Sequence, residues 1–148
     1  MDRTSAETAA DFSSIKLGIN IVNADSMRER TFIPAVHTLL DTVRQQQPTT
    51  PILVISPVWC PFHENTPGPT LLNAEGFYSA ERPLELAVGT LTLTRVRTIL
   101  AEIVKKRMDE NLHYMDGLEL FSSADQDHMP SSLHPDSFGY RLMGERFA

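Results

Sequence analysis

The sequence predicts an α/β domain: a three-layer α/β/α sandwich around a parallel sheet, incomplete, with about three strands. Two observations predict it. Short apolar runs alternate with longer segments of helical periodicity, in the order β-α-β-loop-α-β-α, and strands alternating with helices pair in parallel through right-handed crossovers. The 148 residues are 41% hydrophobic and 22% charged, a balance that builds one buried core and argues against global disorder.

Residues 1–13 lack periodicity and read as a polar leader, leaving 14–148 as the domain. Ile15-Lys16-Leu17-Gly18-Ile19-Asn20 is a short, largely apolar run ending in Gly and Asn, which suits a buried strand running into a loop. From Met27 to Gln46 the period becomes helical, with Phe32, Val36, Leu39, Leu40 and Val43 on one face. Asp25 or Ser26 is the expected N-cap, and Pro34 implies a start nearer Thr31 or a tolerated kink.

Ile52-Leu53-Val54-Ile55-Ser56 is continuously apolar up to its serine, as a central strand buried on both faces should be. Residues 57–83 hold five of the ten prolines and read as one long irregular loop, the kind that forms lids and binding walls. A second helix spans Thr90 to Glu110, with Lys105, Lys106 and Arg107 as a solvated C-terminal end where the helix dipole favours cations. Leu112–Gly117 is a third strand, with Asp116 read as a turn cap. Residues 118–133 are a further loop, and a last helix opens near Asp136.

Several function classes are excluded early. A net charge of −6 leaves no basic footprint for nucleic acid. One cysteine excludes an intrachain disulfide framework and a Cys-rich zinc site. No stretch approaches the ~18 consecutive apolar residues of a membrane span. The N-terminus is polar and acidic, so no secretory signal is expected and a cytoplasmic location is.

In parallel sheets chemistry gathers beyond the carboxyl ends of the strands. Asn20, the Cys60–His63 loop and the loop through His134 all fall there. His134 precedes a helix start and has the titration range of a general base; on its own it reads equally as a capping or surface histidine. Asn20 can aim an amide at a developing oxyanion, although Gly and Asn are also ordinary turn residues.

Taken together these segments resemble the SGNH/GDSL esterase superfamily. The third block of that superfamily, Gly-x-Asn-Asp, reads here Gly18-Ile19-Asn20-Ile21; its fifth, Asp-x-x-His-Pro, reads Ser131-Ser132-Leu133-His134-Pro135. The tail from Leu133 to Ala148 is similar to a typical member's ending, and Lys16–Phe32 and the loop Pro57–Pro69 are similar to a bacterial branch. The resemblance implies a flavodoxin-like sheet of order 2-1-3-4-5, hydrolysis of carboxylic esters, His134 as general base and Asn20 as oxyanion-hole donor. It implies no cofactor. Cys60-Pro61-Phe62-His63 is half of a zinc ligand set with no second pair at ligand spacing, so no metal is expected.

The chain departs from the pattern in three places. The Gly-Asp-Ser nucleophile block is absent, since Asp25-Ser26-Met27 follows the Asn block. The block with the oxyanion-hole Gly is absent too. Ser131 stands where an Asp should orient the base, with Asp125, Asp127 and Asp136 as the carboxylates that would have to compensate. The chain then matches strands three to five, its first strand exposed where another should pair. From this follow a fragment inactive in ester hydrolysis on its own, and an edge open to a homodimer partner or to a missing N-terminal segment.

Gly18, Trp59, Cys60, His63 and Ser131 are the expected surroundings of the cleft. Two alternatives stand beside the small-molecule esterase: a non-catalytic ligand-binding remnant, and an acyl transferase using Cys60 with His134. Trp59 reads first as a loop aromatic covering the core, and His63 equally as a solvated loop residue. His37 is expected as a partly buried helix residue. His128 and Glu64 are left open.

Overall fold

The computed structural model describes residues 8–80 and 82–148. In chain order the elements are β1 (Ser13–Lys16), α1 (Ile19–Asn23), α2 (Glu29–Gln46), β2 (Ile52–Ile55), β3 (Thr70–Asn73), β4 (Gly76–Ser79), α3 (Leu93–Arg107), β5 (Leu112–Met115), α4 (Gly117–Leu120) and α5 (Ser137–Phe147), with 3₁₀ turns at Leu84–Leu86 and Ser123–His128. β1, β2 and β5 form a parallel sheet in that order, Ile15 opposite Val54 and Val54 opposite Tyr114.

The apolar run at Ile52 lies in the centre, as predicted. Ile52 and Val54 face a core with Phe32, Val36 and Leu40 of α2 and Val96, Ile99 and Leu100 of α3. Leu53 and Ile55 face a second cluster with Leu120, Phe121, Met129 and Met143. Side chains alternate across a strand, so one tetrapeptide serves both layers and makes the sandwich three-layered. Among the described residues no helix is long and apolar enough to cross a membrane.

Several boundaries differ from the sequence expectation. The first strand ends at Lys16, and its residues alternate between half-buried and exposed. It is an edge strand with an open side, and a groove of about 350 Å³ runs along it between Ser13–Lys16 and Leu39 and Val43 of α2. Residues 1–7 of the expected leader lie outside the described residues. Thr8 and Ala10 are tied by their carbonyls to Gln47 Nε2 and Thr50 Oγ1, and the strand begins at Ser13.

Neither Asp25 nor Ser26 caps α2. The cap is Arg28, whose backbone N–H donates to Thr31 Oγ1 at 3.1 Å, while Asp25 accepts from the Arg28 guanidinium and pairs with Arg82. Pro34 is accommodated inside the helix.

Residues 57–83 are not structureless. They contain the hairpin β3–β4, with Leu72 opposite Phe77. Asn73 Oδ1 accepts the N–H groups of Glu75 and Gly76 to form the turn, a local bond that asparagine supplies in place of backbone pairing. Prolines on both sides hide this hairpin from a reading by composition.

Candidate active site

Gly18 decides where β1 stops. Its φ of +116° is costly for residues carrying a Cβ, and a Cβ there would lie 2.5 Å from Val96 Cγ1 and 2.8 Å from a Pro57 ring carbon. The chain turns on this residue, whose carbonyl accepts the N–H groups of Ile21 and Val22, opening α1. Asn20 is thus in the first turn of a short helix, and Asn23, three residues on, shares its face.

The opposite wall is the segment before α5. Ser131 Oγ accepts the His134 backbone N–H at 2.9 Å. The Asp136 backbone N–H donates to the His128 carbonyl at 2.8 Å, and its carboxylate caps α5 at the Gly139 N–H. These bonds fix the loop while leaving the His134 side chain exposed.

Asn20 and His134 line one cleft of about 190 Å³. Asn23 shares the Asn20 wall, Tyr140 and Met143 of α5 extend the His134 wall, and Lys16 contributes from the end of β1. The Phe77 ring of the hairpin meets the His134 imidazole edge-on, with centroids 6.5 Å apart. Lys16, Asn23 and Phe77 escape the sequence reading. The first two would emerge had Ile19–Asn23 been read as a helical turn, whereas Phe77 reaches the site only through the hairpin.

The imidazole has no carboxylate partner among the described residues. Ser131 serves the backbone of the loop instead. Asp125 is held by both Arg146 nitrogens, which bring its carboxyl down to about 2. Asp136 faces His128 at 3.5 Å, and Asp127 is exposed. The expected compensation is therefore not made.

Four residues of the Pro57–Pro69 loop prove structural. Cys60 is 1% exposed; its thiol donates to the Ser132 carbonyl, and burial pushes its pKa up to about 12. A buried thiol with a raised pKa is a poor nucleophile at neutral pH, which weighs against the Cys60 acyl transferase.

His63 is fully buried rather than solvated or lining the cleft. A carbonyl can only accept, so the 3.0 Å contact to Thr66 O makes Nδ1 the donor. Nε2 then accepts from the Thr70 hydroxyl at 2.7 Å. Burial lowers the pKa of this ring, favouring the neutral form.

Trp59 packs against the second apolar cluster and is not among the residues lining the cleft. Glu64 accepts two bonds from Arg97, which also bonds the Pro57 carbonyl.

Further out, His37 accepts a bond from Arg107, which also pairs with Asp41 and so is more than a solvated helix end. His128 stacks on Phe138 at 4.2 Å. Asp116 caps α4, as its position suggests.

No protein-family model and no curated protein sequence matches the chain. Solved structures do. A salicylyl-acyltransferase from a tetracycline biosynthetic pathway superposes with a TM-score of 0.73 at 19% identity, covering 98% of this chain and 38% of that one. A carbohydrate esterase family 3 protein from Talaromyces cellulolyticus gives 0.62 at 15% identity, covering 96% and 57%. A peptidoglycan O-acetylesterase gives 0.64 at 17%, covering 98% and 38%. The three share the SGNH-hydrolase architecture. The chain carries that fold in part, spanning less than two thirds of the length of each of these structures.

Proposed function

We propose that the cleft is the base-and-oxyanion half of a carboxylic-ester site. The observation carrying this reading is that Asn20 and His134, 114 positions apart in sequence (134 less 20), line the same cleft. With an ester carbonyl between them, His134 takes the proton from an attacking hydroxyl and the Asn20 amide donates to the tetrahedral oxyanion. Such a donor contributes about 3–4 kcal/mol in comparable sites. Collapse of the intermediate expels the alcohol, which recovers the proton from the imidazolium, and water repeats the sequence on the acyl group.

Among the described residues no serine, threonine or cysteine lines the cleft, so on this reading the nucleophile comes from elsewhere. The open side of β1 is where a further strand adds, either an N-terminal segment bearing the hydroxyl or a second copy of the chain. On this reading the chain acts on a small ester in the cytoplasm, needs no cofactor, and is silent alone. Purified chain is expected to show no turnover of p-nitrophenyl acetate that depends on His134. Turnover abolished by His134→Ala would overturn this.

The unsupported imidazole favours a second reading, a cleft that binds without catalysing. It predicts binding of small esters that weakens in Asn20→Ala, with no turnover even when a nucleophile-bearing segment is added.

A further inference from the structure

We propose that Lys16 makes this cleft selective for ligands bearing a negative charge, specifically small esters with a free carboxylate. The proposal rests on the reading of the cleft as an ester site and adds the chemistry of the group it prefers.

The charge inventory is one-sided. Among the described residues lining the cleft, Lys16 is the only lysine or arginine, and no carboxylate opposes it. The neighbouring polar side chains are the amides of Asn20 and Asn23 and the Tyr140 hydroxyl, all able to donate to an anion.

Lys16 is also unlike the cations that knit the rest of the molecule together. Arg44, Arg95, Arg97, Arg107 and Arg146 each hold a carboxylate. Lys16 forms no ion pair or side-chain hydrogen bond among the described residues, although surrounding protein desolvates it enough to lower its pKa. An ammonium that has lost some of its water and gained no partner is offset by an incoming anion. Lys16 is exposed at the end of the edge strand, where it lines the cleft together with Asn20.

The test is a binding titration of the whole chain, followed through the His134 ring proton by NMR at low ionic strength. Monomethyl succinate is the anionic probe and dimethyl succinate its neutral counterpart. The expected result is about two- to fivefold tighter binding of the anion, the size of an exposed ion pair. Added salt shrinks that ratio. Lys16→Met brings it to one, and Lys16→Arg preserves it.

Equal affinities in the unaltered protein, a ratio insensitive to salt, or a preference surviving Lys16→Met overturns the proposal. If both esters bind equally and Asn20→Ala weakens both, the ester reading stands and the role of Lys16 falls. If neither ester moves the His134 resonance, both fall together.

Discussion

Arg97 and Glu64 meet in a two-point contact, Nη1 and Nη2 each bonding one carboxylate oxygen, at 2.9 and 2.6 Å. The pair ties α3 to the loop after β2, and the Arg97 Nε–H to the Pro57 carbonyl closes the third side. Arg97 is 6% exposed, and Glu64 is half-buried beside it.

Removing one partner strands the other charge. Arg97→Met is expected to destabilise the fold by about 3–5 kcal/mol, as broken buried pairs do, read as a lower denaturation midpoint in urea. The double variant Arg97→Met with Glu64→Met is expected to recover much of the loss. A single variant within experimental error of the parent would contradict the arrangement.

Gly18→Ala tests the turn beneath Asn20. Overpacking against Val96 and Pro57 costs about 1–3 kcal/mol, and the positive φ adds strain. The expected signature is a lower melting temperature together with weaker binding of dimethyl succinate, because the same turn positions α1. Loss of stability without loss of binding would separate the two.

Cys60 is expected to be inert in the folded protein. Iodoacetamide labelling, followed by mass spectrometry, should proceed at the rate of unfolding and accelerate in urea. Rapid labelling under native conditions would contradict a thiol held near 12.

His63 sets a pH dependence whose sign is fixed. Its folded-state pKa lies below the ordinary 6.5, so the unfolded chain binds the proton more readily. Its contribution to stability is complete above about 6.5 and is lost as pH falls from there through the lowered folded value. His63→Gln is expected to lower stability at neutral pH and to flatten this part of the pH profile, measured by urea titration from neutral to mildly acidic buffer. An unchanged slope would contradict it.

The long elements are legible in the sequence because one local rule dominates each. Ile52–Ile55 is apolar at every position, α2 and α3 repeat their buried residues at helical spacing, and Asp136 caps α5 at the predicted place. The placing of Asn20 and His134 along one cleft is legible as well, because loops at the carboxyl ends of parallel strands converge.

Short elements are not. Ile19–Asn23 has 5 residues, too few to show a period, and its opening glycine looks like the end of a strand. The fates of Cys60 and His63 depend on Ser132, Thr66 and Thr70. For Cys60 that means a segment 72 residues away, and no local pattern encodes such a contact.

The ribbon that brings Phe77 to His134 is fastened at its feet, by Thr70 to His63 and by Ser79 to the Phe62 carbonyl, while Leu72 near its tip is 69% exposed. The reach of this flap is therefore adjustable independently of the parallel strands. Adding or deleting a pair of residues between Thr70 and Ser79 would resize the doorway on the imidazole side and leave the amide side untouched.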